Sequence, residues 1–142
     1  MESKKQIAII TDNEEYSKNL AKTIASIING IPAKGCSVSG YDVSILGAEK
    51  FSATDILPAS IFFIGCETPK PASFSYIDEL FQHINFAGRS CGVFSSEHKA
   101  LQYLEKIVSN TEASITSLPV MGEKTETELK SWVQSVIERN RL

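Results

Sequence analysis

The sequence predicts a three-layer α/β sandwich, in which a five-stranded parallel sheet of order 2-1-3-4-5 carries helices on both faces. Short apolar runs alternate with segments of helical periodicity along all 142 residues, and such alternation produces right-handed crossovers between parallel strands. Several of the apolar runs are unbroken, as in strands that are buried on both faces. The length is that of one domain, so we expect residues 1–142 to form a single domain.

Five segments are predicted to form the strands. Residues 6–11 are a solid run of mostly β-branched residues, and Ile61–Gly65 is the most hydrophobic stretch of the chain and should be the central strand. Apolar and polar residues alternate within residues 37–46, which predicts a half-exposed second strand. Ser90–Phe94 and residues 114–120 complete the sheet.

Apolar residues at helical spacing predict the helices between these strands. Gly30 and Pro32 end the first helix. Residues 51–57 form a short helix with Ser52 as its cap, and Thr125 or Thr127 caps the last helix. The apolar stripes are Tyr16, Leu20, Ile24, Ile27 and Ile28; Ile77, Leu80, Phe81 and Ile84; Leu101, Leu104, Ile107 and Val108; and Leu129, Trp132, Val133, Val136 and Ile137.

Charge and cysteine content narrow the class of protein. Lys and Arg number 14 and Asp and Glu 17, a net charge of -3, so we expect no nucleic-acid partner and no membrane partner. Cys36, Cys66 and Cys91 form no CxxC pair, which favours free thiols in a reducing compartment. The first apolar run, residues 7–10, is too short for a signal peptide or a membrane span. We therefore expect a cytoplasmic protein.

The predicted strand order also locates a binding site. In open parallel sheets, ligands bind beyond the carboxyl ends of the strands, near the point where the strand order reverses. This point lies between the first and third strands. The loops to consider are residues 11–17, 66–75 and 95–99.

Three segments of the chain resemble the flavodoxin family. Residues 61–69 look like the family's third strand and the loop over its flavin, and residues 78–94 are similar to its third helix, glycine-containing turn and fourth strand. Residues 129–132 resemble its last helix, and the uninterrupted fifth strand is that of short-chain members. The resemblance implies a flavodoxin-like fold, an FMN cofactor, electron transfer and a redox partner protein or other protein partner.

The resemblance also implies which residues contact FMN. The family's phosphate loop, Ser/Thr-x-Thr-Gly-x-Thr, corresponds to residues 11–16, where Thr11 matches and Asn13 and Ser17 would take the place of hydroxyl groups. Near the flavin ring the resemblance places six residues of the second and third loops. They are Cys66, Glu67, Thr68, Phe74, Ser95 and His98.

The first loop departs from the family pattern in its charge. Asp12, Glu14 and Glu15 stand where a phosphate dianion should bind, and Glu14 replaces the glycine. Two like charges about 4 Å apart repel by roughly 1 to 4 kcal/mol, depending on exposure. Because acids near a helix N-terminus stabilise the helix, we interpret Asp12 or Asn13 as a cap and the two glutamates as first-turn residues.

Two other interpretations stay open. Residues 10–15 are similar to the first strand and acidic pocket of a receiver-like signalling domain, which has the same topology. A receiver needs an aspartate near position 65 and a lysine after the fifth strand, and the chain has Gly65 and Val120 there. Alternatively, a cofactor-free domain of this fold acts as a protein-interaction module. No metal-ligand cluster stands out, so we expect an electron-transfer or binding protein more than a catalyst.

Overall fold

A computed structural model describes residues 5–31, 40–120 and 125–140 of the chain. They form a parallel sheet in the predicted order β2-β1-β3-β4-β5. The strands are β1 (Lys5–Thr11), β2 (Tyr41–Gly47), β3 (Ile61–Gly65), β4 (Ser90–Phe94) and β5 (Ser114–Ser117). The helices are α1 (Glu15–Asn29), α2 (Ala53–Ile56), α3 (Ser75–Phe81), α4 (His98–Ser109) and α5 (Glu126–Glu138), with 3₁₀ turns at Ala48–Lys50 and Ala72–Phe74.

The burial of the strands follows their hydrophobic pattern. Every residue of β3 and β4 is buried, as expected of strands covered on both faces. The edge strand β2 is half-exposed as predicted, and 46% of the Ile45 side chain is accessible. It begins at Tyr41, and residues 37–39 of the predicted strand lie outside the described ranges, as do Pro32 and Cys36.

The helices confirm the predicted stripes with two exceptions. Tyr16 is 44% exposed although the stripe of α1 included it, because it lies in the first turn, beyond the end of the sheet. The helix predicted to reach Ile84 ends at Phe81, where the N–H groups of Gln82 and His83 bond to carbonyls only three residues back and tighten the chain. Ile84 still packs against the core from the segment that follows.

The caps of α2 and α5 are those predicted. The backbone N–H of Ser52 donates to the Asp55 carboxylate at 2.9 Å. At α5, the Thr125 hydroxyl accepts the N–H of Glu128 at 3.1 Å. Each contact gives an acceptor to a backbone N–H group at the start of a helix, where no carbonyl of the helix can accept it.

Aromatic side chains fill the core on both faces of the sheet. On the face covered by α2, α3 and α4, the rings of Phe62 and Phe86 lie 5.2 Å apart in edge-to-face contact. On the face covered by α1 and α5, Trp132 packs edge-to-face on Phe63 at 5.3 Å and on Phe94 at 6.2 Å. The Trp132 indole N–H donates to the Thr116 carbonyl at 3.1 Å, so its burial leaves no unpaired donor.

Two glycines make room for these rings. A Cβ at Gly92 would lie 2.7 Å from the Phe63 ring and 2.9 Å from Val136, and a Cβ at Gly65 would lie 2.2 Å from the Phe94 ring. Real Cβ atoms do not approach other heavy atoms so closely, so a side chain at either position would displace an aromatic ring. The absence of side chains here is therefore part of the packing between the sheet and α5.

We expect Gly92→Ala to lower the free energy of unfolding by about 1 to 3 kcal/mol, because it overpacks the contact with Phe63. Gly47→Ala is the matched control, since a Cβ there meets nothing within 4 Å. Urea unfolding of both variants and the parent chain measures the effect. Equal stability of the two variants would contradict the close packing at Gly92.

Candidate functional site

Strand register brings three loops to one edge of the sheet. Thr11 pairs with Gly65, and Gly65 pairs with Phe94, so β1, β3 and β4 end at the same level. The loops that follow them lead directly or through a short turn into α1, α3 and α4. We call residues 11–17, 66–68 and 95–98 the carboxyl edge. It is the place at which the strand order predicts a ligand site.

The Glu67 carboxylate joins the three loops of the carboxyl edge. One of its oxygens accepts the hydroxyl of Ser17, in the first turn of α1, at 3.0 Å. The other accepts the backbone N–H of Ser96 at 3.3 Å and also the Ser96 hydroxyl. We call this carboxylate, with its bonds from Ser17 and Ser96, the Glu67 bridge. It places a negative charge near the N-terminal ends of α1 and α4, where helix dipoles favour an anion.

A second carboxylate, that of Asp12, lies beneath the bridge. Its side chain is only 4% exposed. One oxygen accepts the backbone N–H of Glu67 at 2.8 Å and the other accepts the N–H of Glu14 at 3.3 Å. Asp12 therefore ties the loop after β1 to the loop after β3 and satisfies two backbone donors. The residue that begins α1 as its cap is Glu14, not Asp12 or Asn13 as predicted, and Asp12 holds the cap's N–H instead.

The two carboxylates change the chemistry of their neighbours. Burial raises the pKa of the Cys66 thiol to about 12, and the charges of Asp12 and Glu67 add to the rise. The thiol is fully buried and donates to the Thr68 carbonyl at 3.3 Å. Burial and the Glu67 charge also raise the pKa of the Tyr16 phenol. A thiol held neutral in this way is a poor nucleophile, which argues against a catalytic role for Cys66.

The three residues that the resemblance assigns to a phosphate differ in burial and in hydrogen-bond partners. Thr11 is 2% exposed at the end of β1. The Asn13 side chain is exposed and donates to Glu49 at 2.9 Å, which turns it towards the 3₁₀ turn after β2. Ser17 is fully buried, and its hydroxyl is bound to Glu67.

The residues assigned to a flavin ring also differ in their exposure. Phe74 is fully buried in the core below α3, with its ring 6.5 Å from that of Tyr103, and it has no exposed surface to offer a ligand. Ser95 is 2% exposed and accepts the N–H of Glu97, the residue that caps α4. Thr68 and His98 are exposed at the carboxyl edge.

Sequence reasoning missed the role of two residues. The resemblance assigns Ser95 to the site and not its neighbour Ser96, although both lie in the loop that the strand order brings to the carboxyl edge. Asp12 was interpreted as a helix cap rather than as a link to the backbone of Glu67. The signal that could have identified Ser96 was its position, because every polar side chain in these loops is a candidate contact.

Metal binding and membrane insertion find no support in the part of the chain that the structure describes. There, no group of three or more His, Cys, Asp or Glu side chains is placed to hold a metal ion. Within residues 5–31, 40–120 and 125–140, no helix combines the length and the apolar character that crossing a bilayer requires. Cys66 and Cys91 are both buried free thiols, as predicted for these two cysteines.

Solved structures resemble this chain over nearly its whole length. The flavodoxin of Streptococcus pneumonia TIGR4 superposes with a TM-score of 0.75 at 15% identity, covering 94% of this chain and 99% of the other. A short-chain flavodoxin associated with a PDU bacterial microcompartment gives 0.74 at 10% identity, with coverages of 94% and 97%. The flavodoxin of Fusobacterium nucleatum bound to flavin mononucleotide gives 0.66 at 10% identity, with coverages of 96% and 99%.

The chain has a flavodoxin-like fold. The agreement extends to the strand order and to the absence of a large insertion on either side, since each structure is covered almost completely. No protein-family model and no curated protein matches the sequence. Identities of 10–15% show the fold alone, so the activity of this flavodoxin-like chain has to be argued from its own carboxyl edge.

The bond between Ser17 and Glu67 is expected to contribute to stability, because a buried hydroxyl otherwise loses its partner. A double-mutant cycle of Ser17→Ala and Glu67→Ala should give a coupling free energy of about 1 to 2 kcal/mol, typical of a bond to a charged group. Urea unfolding of the four proteins measures it. A coupling near zero would mean that the two side chains are not bonded in solution.

The raised pKa of Cys66 predicts a loss of stability in alkali. In the unfolded chain the thiol ionises with its ordinary pKa of 9.0, whereas in the folded chain its pKa is about 12. Between these values the unfolded state binds fewer protons, so stability falls by up to about 1.4 kcal/mol per pH unit. Cys66→Ala removes this contribution.

The check is the difference in free energy of unfolding between the parent chain and Cys66→Ala, measured under reducing conditions. It should be constant below pH 9 and should shift in favour of the variant from pH 9 upwards. The measurement extends to pH 11, about two units above the ordinary thiol pKa. A difference in free energy that stays constant over this range would show that folding does not raise the pKa of the Cys66 thiol.

Proposed function

We propose that this chain is a flavodoxin-like module that works by binding a protein partner and does not carry FMN in the manner of an electron carrier. The observation that carries the proposal is the Glu67 bridge. The hydroxyl of Ser17 and the donors of Ser96 converge on the protein's own carboxylate. An external anion at this edge would have to displace Glu67 from those donors.

The fit of FMN to these residues is poor on the phosphate side. The edge holds the Glu67 and Asp12 carboxylates, with Glu14 and Glu15 exposed beside them. A phosphate dianion about 4 Å from one such carboxylate is repelled by roughly 1 to 4 kcal/mol. Of the three residues that the resemblance assigns to the phosphate, only Ser17 contributes a hydroxyl to the bonded cluster, and Glu67 already accepts it.

The fit is also poor on the ring side. Flavodoxins stack the flavin ring between aromatic side chains, and the candidate for that role, Phe74, is enclosed in the core. Tyr16 lies beside Glu67 and is 44% exposed, so it presents an aromatic ring at the edge. His98, at the start of α4, could contact a ring only from the exposed side.

Exposed tyrosines near this edge support a protein partner. Tyr16 and Tyr76 lie in the first turns of α1 and α3 and are 44% and 45% exposed. The Tyr76 hydroxyl accepts the N–H of Ala53 at 3.1 Å, and its ring lies 6.0 Å from that of Phe51, so it is held in place while partly exposed. Ordered, half-exposed tyrosines are enriched in protein–protein interfaces.

An FMN-dependent electron carrier is the second candidate, and one observation favours it. The Fusobacterium nucleatum flavodoxin that superposes on 96% of this chain was solved bound to flavin mononucleotide. For this chain to do the same, Ser17 would have to exchange Glu67 for the flavin phosphate. Thr11 and Asn13 would complete that contact, and Cys66, Glu67, Thr68 and Ser95 would border the ring.

Titration of the purified chain into FMN separates the two candidates. We expect no saturable quenching of flavin fluorescence at micromolar protein, because carboxylate repulsion and occupied donors both oppose binding. Apoprotein of an authentic flavodoxin is the positive control. Saturable quenching at micromolar or tighter affinity would instead establish the carrier.

A further inference from the structure

We infer that the Glu67 side chain itself, rather than the general acidity of the loops, closes the carboxyl edge to FMN. The inference rests on the proposed function and names the residue responsible for it. It concerns a contact within the protein, in which a side chain takes the Ser17 donor that the resemblance assigns to the phosphate, together with the Ser96 donors in the loop that the resemblance places at the ring.

The first step is the position of the Glu67 bridge. Ser17 belongs to α1 and Ser96 immediately precedes the cap of α4, so the carboxylate spans from one helix start to the other. The Ser17 side chain has no exposed surface, and its hydroxyl already donates to Glu67. An anion from solvent must therefore displace Glu67 to bond Ser17.

The second step is the difference between Glu67 and the other acids. Asp12 is almost completely buried and uses both oxygens on backbone N–H groups, so it holds the loops together without reaching Ser17 or Ser96. Glu14 is exposed, and its side chain forms no cap bond. Only Glu67 among these acids contacts both serines in the described structure.

The third step is the competition between an internal and an external anion. A side chain attached beside the donors acts at an effective concentration in the millimolar range or above, which a ligand at micromolar concentration cannot match. Removing the carboxylate frees the donors of both serines together and removes one negative charge. Removing an exposed acid lowers the charge by the same amount but frees no donor.

The experiment compares FMN binding by the parent chain, Glu67→Ala, Glu67→Gln and Glu14→Gln, by quenching of flavin fluorescence. We expect Glu67→Ala to bind FMN at least about tenfold more tightly than the parent, which corresponds to one regained charged hydrogen bond. Glu67→Gln should gain much less, because its amide oxygen can still accept from a serine. Glu14→Gln, the matched control for charge, should change binding by less than about threefold.

Riboflavin, which has the same ring and no phosphate, tests where the gain arises. Riboflavin should bind equally to the parent chain and to Glu67→Ala. In a second test, adding Ser17→Ala to Glu67→Ala should cancel most of the gain in FMN affinity. Circular dichroism verifies that each variant is folded. If Glu67→Ala does not fold, Glu67→Ser replaces it, since a serine is too short to span the two helix starts.

Three results would overturn the inference. They are a folded Glu67→Ala that gains no FMN affinity, an equal gain in Glu67→Gln or Glu14→Gln, and an equal gain for riboflavin. A parent chain that already binds FMN at micromolar concentration would overturn the proposed function as well. A parent chain that does not bind, together with an unresponsive Glu67→Ala, would overturn this inference alone and leave the proposed function standing.

Discussion

The register between the three central strands is the constraint on which the rest of the structure depends. β3 and β4 are buried throughout and β1 is buried from Ile7 onwards, and the pairing of Thr11 with Gly65 and of Gly65 with Phe94 ends the three strands at one level. A slip of one residue would turn every core side chain towards the opposite face. The same register places three loops side by side, and without it Glu67 could not contact residues from two of its neighbours.

The carboxyl edge combines the geometry of the fold with an acidic side chain of the protein's own. In a doubly wound sheet the helix starts converge at this edge, and their dipoles favour an anion. Here the protein supplies that anion from its own chain, through Glu67. Asp12 stabilises the loops beneath it by accepting two backbone N–H groups. The cluster therefore satisfies its donors internally, as buried polar groups require.

Fold similarity alone does not give the function of this chain, so the proposed function rests on the carboxyl edge. It superposes on flavodoxins over 94–96% of its length at identities of 10–15%. Such agreement reflects the strand order and the packing of the two core faces. Proteins with unrelated functional sites can share both features. The side chains at the carboxyl edge set its charge and the availability of its donors. Here the Asp12 and Glu67 carboxylates accept hydrogen bonds from the loops of the edge itself.

The sequence by itself determined the strand order, the alternation of helices and strands and the location of the edge, because burial imposes periods that residues 6–11, Ile61–Gly65 and the helix stripes display directly. It also determined the cap at Ser52 and limited the cap of α5 to Thr125 or Thr127, because caps are local interactions. Only the tertiary structure decided that Phe74 is in the core and that Ser96, not Ser95, contacts Glu67. Glu67 lies 29 positions from Ser96 and 50 positions from Ser17 in the chain. No local pattern encodes which side chains meet across such separations.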